Sequence, residues 1–553
     1  MAFNIGEITP ERLRLQDRYE ELKRIRMGIE STLCDVQKFV RPNGTSFSQG
    51  SSVGFGGAQE DGSKLLYDHT AVWANQMFAN GLSSYLIPKA DRWAYFKPLG
   101  IPSAELTDEQ LLYLETVSDL VYHYYALPET QFYQAGHENF HDQGSYGTAV
   151  TYVRKTDTGV NFRSCPLSDC FFDIDQNGDV DTMFYRRKMR AKQVVQMFPH
   201  ASNMDDFDFK NSDKEYEIIF AVEPNRDIRA RKGGKIGNER PYRTTYWAPQ
   251  LKQMLQVGAL DYFPFLVPRW SVISGEVWGR SPAMTCLSNI RMINKMKKEL
   301  IKSAEIANAP PLTAEEDSIL LPMRYGTRQM IWRTMGSEAP QPVVSGSQPQ
   351  LTLEMMKSEQ EAITRAFFVD QIIREQKKER QSVMEVQDER GQMLQQLGPQ
   401  LSRQESEFIT PAIEITFDIL QKKKRLPPAP ASMEGMDLEL VYTSPAAYAQ
   451  YSSKIGDISG FLQDMTPLFQ TDPSLMEGID SQELMDAYSR YRNVPRRIIK
   501  SKQDMAAVKE QRAEAEQQQQ MMNQAPQLAG AMKDVASARA TDPEGIGQLL
   551  NAQ

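Results

Sequence analysis

The sequence predicts a mixed α+β chain, mainly helical, built from two to four structural units. Three observations carry this. The chain has 553 residues, more than a single hydrophobic core organises before chains divide into domains. Residues up to about 146 and beyond about 282 carry apolar side chains at helical spacing. Between them, short runs alternate or continue apolar in the manner of strands.

Taken in order, Thr9-Pro10 resembles an N-cap with proline at N1, opening a helix that runs to about Phe39. The Gly/Ser-rich "NGTSFSQGSSVGFGGAQEDG" follows as a loop. An amphipathic stretch from about Ser63 to Ile87 carries Leu65, Leu66, Val72, Trp73, Met77, Phe78 and Leu82 on its apolar side. Two more helices are expected near Thr107–Ala126 and Glu129–Gln143. From Tyr146 the period changes. "GTAVTYVRK", "VNFRSC", "CFFDID", "DTMFYRRKM", "YEIIFAV", "YRTTYWA", "LKQMLQV" and "PFLVPRWSV" form a β-rich unit to about Ile273.

Helix returns with Pro282 to Asn308, about 27 residues and ~40 Å long at 1.5 Å per residue. Ser281-Pro282 reads as its N-cap and N1. Leu287, Ile290, Ile293, Met296, Leu300, Ala304 and Ala307 form an apolar stripe, which requires a neighbour to cover it. Arg291, Lys295, Lys298 and Lys302 occupy other faces. A Pro- and Gly-rich insert, "APPLTAEEDSILLPMRYGTRQMIWRTMG", precedes helical pattern from Leu351 to about Leu420, broken at Gly398-Pro399. "RLPPAPASMEG" is a linker, further helices are expected from Pro445 to about Gln520, and the tail from "QQQQMMNQAPQ" is too polar for a core.

Composition narrows the function. Acidic residues outnumber basic ones 72 to 63, for a formal charge of −9. A protein that grips nucleic acid over a broad face leans the other way. Four cysteines give no disulfide framework, and Cys165 and Cys170 stand too far apart for a CxxC pair. Reduced thiols in a cytoplasmic setting are expected. "MAFNIGEITPERLRLQDRYEELKRIR" lacks the apolar centre of a signal peptide. No apolar run approaches the ~18 residues of a membrane span.

Three motifs look chemical. His137, Glu138 and His141 spell H-E-x-x-H, in which two imidazoles one helical turn apart hold Zn²⁺ and the glutamate serves as general base. The extended signature places its third ligand where this chain has Gly147. "DIDQNGDVDTMF" imitates a calcium loop at Asp173, Asp175, Asn177 and Gly178, but position 12 is Phe184 and strands flank it. Asn177-Gly178 is first a hairpin turn. "GEVWGRS", Gly275 to Ser281, is one residue short of a phosphate loop and has Arg280 for the lysine; its glycines, Gly279 among them, make a turn into the long helix.

The order of several segments resembles one family. "ANGLSSYLIPKADRWAYF", "GEVWGRSPAMTCLSNIRMINKM", "LQQLGPQLSRQESEFITPAIEITFDIL", "RLPPAP" and "SPAAYAQ" are similar in order and spacing to the head-to-tail connecting (portal) proteins of short-tailed, podovirus-like bacteriophages. The resemblance covers about Arg18 to Gln450. Where relatives carry Thr-Ala-x-Glu-(Val/Ile), this chain reads Ser382-Val383-Met384-Glu385-Val386, which keeps the glutamate and the valine.

The resemblance implies a ring, usually of twelve subunits, at one capsid vertex. Residues 1–281 would be the wing, 282–308 and 351–369 the stem helices, 309–350 a small β-containing clip, and 370–381 the tunnel loop. Residues 382–435 would be the tunnel helix and return to the wing, 436–520 crown or barrel helices, and 521–553 a C-terminal tail. Double-stranded DNA would pass through the channel without sequence recognition. The large terminase, then tail adaptor or nozzle proteins, would dock on the ring, with capsid and scaffolding proteins around it. On this reading Lys295, Lys298 and Lys302, with Arg374, Lys377, Lys378 and Arg380 of "IIREQKKER", are candidates to face DNA. Gly279, Ser281 and Pro282 are the structural joint. No cofactor, metal or membrane partner is expected, and the alternative is a zinc-dependent peptidase using "HENFH".

Overall fold

The computed structural model describes residues 5–43, 47, 66–89, 92–101, 106–157, 159–199, 214–225, 240–308, 312–313, 335, 341–342, 349–372, 397–433, 435–442, 458–467 and 484–485. The chain divides into two compact units, Met1–Gly100 with Tyr113–Asp457, and Ile101–Leu112 with Ile458–Gln553.

In the smaller unit the start of one helix is set by Thr107 and Gln110. Thr107 N–H donates to Gln110 Oε1 at 3.0 Å and Gln110 N–H donates to Thr107 Oγ1 at 3.4 Å. This reciprocal capping box satisfies two donors that the first turn would otherwise leave bare. Residues 458–467 are helical in the same unit.

The larger unit is built on an antiparallel five-stranded meander. It contains β4 (Cys170–Ile174), β5 (Val180–Arg190), β6 (Glu215–Pro224), β7 (Tyr242–Ala248) and β8 (Gln253–Leu260), paired in that order. β6 lies at its centre and is covered on both faces, which is why "YEIIFAV" is continuously apolar. Ile219 and Ala221 meet Leu15, Tyr19 and Leu22 of α1 (Ile5–Val40). Tyr216 and Ile218 point to the opposite face, against Val194 and Phe198 at the short helix α5 (Ala191–Met197) and its end. Ion pairs fasten α1 across the strands, Arg14 to Glu223 and Arg18 to Asp173, each at 2.6 Å.

A three-stranded sheet of order β3 (Val160–Ser164), β2 (Thr151–Lys155) and β9 (Phe265–Leu266) lies against α4 (Phe132–Tyr146). The run "PFLVPRWSV" forms only two residues of strand. Pro264 and Pro268 have no N–H to give the ladder, and their carbonyls accept instead from Val153 at 2.8 Å and Ala149 at 3.1 Å. One two-stranded pair joins β10 (Leu312–Thr313) to β11 (Gln341–Pro342), and another joins β1 (Ala94–Pro98) to β12 (Leu438–Tyr442). That strand corrects the helical expectation for the first residues of 436–520. The remaining helices of this unit are α2 (Thr70–Leu86), α3 (Asp108–Ala126, whose first residues belong to the smaller unit), α7 (Leu287–Asn308), α8 (Pro349–Ala366), α9 (Val369–Ile372), α10 (Gly398–Gln404) and α11 (Thr410–Lys422).

Several boundaries differ from expectation. α1 begins at Ile5, so Pro10 lies within the helix near its start. Trp73, expected on the apolar side of α2, is 46% exposed, because the buried face is formed by Ala71, Ala74, Phe78 and Leu82. The long helix from Pro282 is two pieces, α6 (Pro282–Thr285) and α7, separated at Cys286. Between α10 and α11, Glu405–Ile409 forms one wide turn in which Thr410 N–H reaches back to the Glu405 carbonyl. Pro411 lacks the N–H that the Glu407 carbonyl would receive in an α-helix, and the widened turn accommodates it.

The joint into α6 is a close crossing of backbones. α4 ends on Gly147 at φ +77°, the left-handed conformation that glycine adopts without strain. The Gly147 carbonyl accepts from Trp270 N–H at 2.8 Å. Gly279 passes over the same turn, and a Cβ there would sit 2.1 Å from the Gly147 oxygen. Gly279 N–H donates to Thr148 Oγ1 at 2.9 Å, and Arg280 N–H to the Ser271 carbonyl at 2.6 Å. Ser281 then caps α6, its hydroxyl accepting from Met284 N–H at 2.9 Å, with Pro282 at the first helical position.

Gly279→Ala is expected to cost about 3 kcal/mol or more, because backbone and not a movable side chain occupies the space. Ser281→Ala is expected to cost only about 1 kcal/mol. Urea denaturation of the two variants checks the order; a Gly279→Ala protein as stable as the parent would contradict this packing.

Candidate nucleic-acid interface

α7 and α8 lie side by side, and their packed ends face the body of the larger unit. Leu287, Ile290 and Ile293 on α7 are buried, as are Met356, Ile363 and, just past α8, Phe367. Asn289 Nδ2 donates across the pair to Glu359 Oε2 at 2.7 Å. Asp68, just before α2, is the polar anchor. It is 4% exposed and meets Lys297 Nζ at 3.3 Å and Gln360 Nε2 at 3.4 Å. Burial alone would raise its carboxyl, but the Thr70 hydroxyl and N–H together with Lys297 outweigh that and hold it below the usual carboxylate range. Asn294 Oδ1 accepts from Tyr67 N–H at 2.7 Å and from Asp68 N–H at 3.2 Å.

The apolar stripe of α7 is covered only in its first half. Met296 and Leu300 are half-buried, and Ala304 and Ala307 are exposed. Large apolar side chains stand open along both helices: Met292, Ile301 and Ile306 on α7, and Leu351, Leu353 and Met355 on α8, each 40% exposed or more.

The basic residues form a stripe on the outer side. At 100° per residue, Arg291, Lys295, Lys298 and Lys302 fall within about 60° of arc. All four are exposed. Arg291 is held by Asp35 of α1. Lys298 Nζ lies 5.6 Å from the Tyr67 ring centroid, and Lys302 pairs with Glu299 at 3.1 Å. Lys295 meets no acid among the described residues. Arg374, Lys377, Lys378 and Arg380 lie outside the described residues.

The zinc-like motif sits where α4 packs on α2. His137 Nε2 is 2.8 Å from Asn80 Oδ1, and His141 Nδ1 is 3.1 Å from Asn75 Nδ2. The two imidazoles are thus spent on two asparagines of the neighbouring helix. Close approach follows from the glycines of α4: a Cβ on Gly144 would lie 2.1 Å from Asn75 Oδ1, and one on Gly136 2.5 Å from Ile87 Cδ1. Among the described residues no three His, Cys, Asp or Glu side chains gather as a metal would need. The calcium-like loop is a hairpin: Asp175 Oδ1 accepts from Asn177 N–H at 2.8 Å and Asp179 N–H at 3.0 Å, while Asp173 is paired with Arg18.

Sequence reasoning missed the ion pair beneath this hairpin. Arg269 is 4% exposed and donates Nη2 to Glu407 Oε1 at 2.7 Å and to the Gly178 carbonyl at 2.8 Å. Its own N–H reaches Glu407 Oε2 at 2.7 Å. One side chain therefore ties the hairpin, the segment after β9 and the wide turn of the last helices together. The signal was an arginine inside the apolar run "PFLVPRWSV", which demands a buried acid.

The fold and this helix pair fit a chain that works by assembly and surface. Comparison with known proteins states the class directly. The family of bacteriophage head to tail connecting proteins matches residues 12–499, and the chain belongs to that family. The portal protein of Salmonella phage epsilon15 is 26% identical over 563 aligned residues, covering 98% of each chain. The probable portal protein of Bordetella phage BPP-1 is 23% identical, covering 96% of each.

Removing the arginine side chain by Arg269→Met leaves the largely covered Glu407 with only Arg403 and the residue-269 backbone N–H as partners and is expected to cost about 3 kcal/mol; thermal denaturation reads it, and a loss under about 1 kcal/mol contradicts the assigned role. A second expectation concerns pH. Burial first, then Arg41 and His137, push the His141 imidazole down to about 4 from 6.5. The unfolded chain therefore binds a proton that the folded chain refuses between those values. This contribution is fully present above pH 6.5 and is lost as pH falls towards 4. His141→Gln should flatten the decline of urea midpoint across that window, and an unaltered decline would contradict it.

Proposed function

We infer that this chain is a bacteriophage portal protein, the head-to-tail connector through which double-stranded DNA enters the capsid and later leaves it. The observation that carries the reading is the family match over residues 12–499 together with similarity to portal proteins along nearly the whole chain. The chain acts as a structural component of the virion and carries no catalytic centre on this reading. Among the described residues no helix is long and apolar enough to cross a membrane.

The finer proposal follows the family's plan. Residues 1–281 form the wing, 282–308 and 351–369 the stem, 309–350 the clip, 370–381 the tunnel loop, 382–435 the tunnel helix and return, and 436–520 the crown or barrel. Subunits close into a ring of about twelve around an axis. Support for ring closure comes from the exposed apolar side chains of α7 and α8, which a neighbouring pair of stem helices would cover. The terminase, then the tail adaptor, would engage the clip.

Electrostatics supports a sliding contact with DNA. A chain of net charge −9 repels phosphate overall, while the stripe of Lys295, Lys298 and Lys302 offers transient, sequence-blind contacts. Each such contact is screened by salt. In particles assembled with Lys295→Ala, Lys298→Ala and Lys302→Ala together, ring assembly is expected to be unchanged and DNA content per particle to fall. Unchanged DNA content would remove these lysines from the channel.

A further inference from the structure

The small sheet of β1 and β12 is closed on one edge and open on the other. Leu99 N–H donates to the Asp437 carbonyl at 2.8 Å, and the register pairs Pro98 with Leu438, Phe96 with Leu440 and Ala94 with Tyr442. Alternation along an antiparallel ladder assigns the mutual hydrogen bonds to Lys97 with Glu439 and Tyr95 with Val441. Ala94, Phe96 and Pro98 therefore direct their backbone away from β12, and Leu438, Leu440 and Tyr442 direct theirs away from β1.

On β1 the outward N–H positions are answered. Pro98 has no N–H, the Tyr122 hydroxyl accepts from Ala94 at 2.6 Å, and the Ser118 hydroxyl accepts from Phe96 at 3.3 Å. On β12 the N–H groups of Leu438, Leu440 and Tyr442 meet no acceptor among the described residues. Unpaired edge strands are normally blunted by proline, lysine or a covering element. Nothing of that kind appears in "LELVY", and a sheet of two strands is marginal by itself.

Beside this edge lies a groove of about 780 Å³ between the sheet and α11, with Phe96, Phe417, Met433, Leu438 and Leu440 among its walls. The charged residues lining it are Glu414, Asp437 and Glu439, all acidic. Glu439 pairs with Lys97 at 3.4 Å, and Glu414 and Asp437 meet no cation among the described residues. The edge supplies backbone partners at alternate positions, the groove takes apolar side chains, and the rim calls for positive charge.

We propose that the outer edge of β12 docks an extended basic strand of another polypeptide, one that alternates apolar and basic side chains and adds as a third strand. Backbone pairing would supply the affinity, and the apolar groove with its acidic rim the selectivity. This does not depend on the ring or on DNA, and it adds a protein partner on a face distinct from the stem helices.

The test uses the full-length chain and a fluorescein-labelled peptide of sequence KVRVKVT, with EVEVEVT as its acidic counterpart, read by fluorescence anisotropy. Saturable binding of the basic peptide only is expected, together with slowed hydrogen exchange in residues 435–442. Leu440→Pro removes an outward N–H that the β1 ladder does not use, so it should weaken the peptide at least about tenfold with the melting temperature unchanged. Glu414→Lys, on the exposed side of α11, should also weaken it and keeps the test decisive where proline disturbs the strand. No saturable binding, equal binding of the acidic peptide, or full affinity in both variants overturns the proposal. So does a peptide-resistant dimer of this chain that Leu440→Pro dissolves, since the edge would then belong to a second copy.

Discussion

The contact between Gly147 and Gly279 is the constraint on which the rest of the larger unit depends. Two backbones cross there with no room for a Cβ on either, and three elements change direction within it. α4 ends, the segment after β9 bridges to Thr148, and α6 begins. The crossing is lined by backbone hydrogen bonds, so it fixes direction as well as distance. Ser281 and Pro282 then start the helix at that point. The direction in which α6 and α7 leave the β-rich body is thus a property of two glycines and a cap, with Asp68 and Asn294 holding the first turns of α7 beside the start of α2.

A helix pair so anchored at one end leaves its far half uncovered among the described residues. Buried positions of α7 end with Ile293, and the exposed apolar side chains continue to Ile306. A helix pair left half-covered fits a subunit whose core is finished by its neighbours. The basic stripe is turned about 110° from the buried side, and the exposed Ile306 lies beside it, about 20° from Lys295. Partial pairing within the stripe, Lys302 with Glu299 and Lys298 over Tyr67, tempers the attraction for phosphate.

Much of the fold was legible in the sequence where a local rule and the tertiary structure agree. Seven of the eight strand-like runs, the cap at Ser281-Pro282 and the hairpin at Asn177-Gly178 all follow from period, capping and turn chemistry. Trp73 misled because hydrophobicity alone does not say which face of a helix is covered when small residues pack closer. Leu438–Tyr442 was missed because a five-residue strand whose partner lies more than 340 residues earlier has no local signature beyond "LELVY". Of the candidate site, the lysine stripe was readable from spacing. The anchors beneath it, Asp68 with Lys297 and Arg269 with Glu407, were not, because a buried pair is defined by distance in space and leaves only one odd charge in each stretch of chain. His137 and His141 have the spacing of zinc ligands, and only the position of α2 reveals that asparagines occupy them.

The central claim is that this chain completes itself by closing a ring around a channel. Native mass spectrometry of the purified full-length protein, with class averages from electron microscopy of the same sample, tests it most directly. The account expects a closed ring of about twelve copies with a central opening. A folded monomer that persists at high concentration would contradict it.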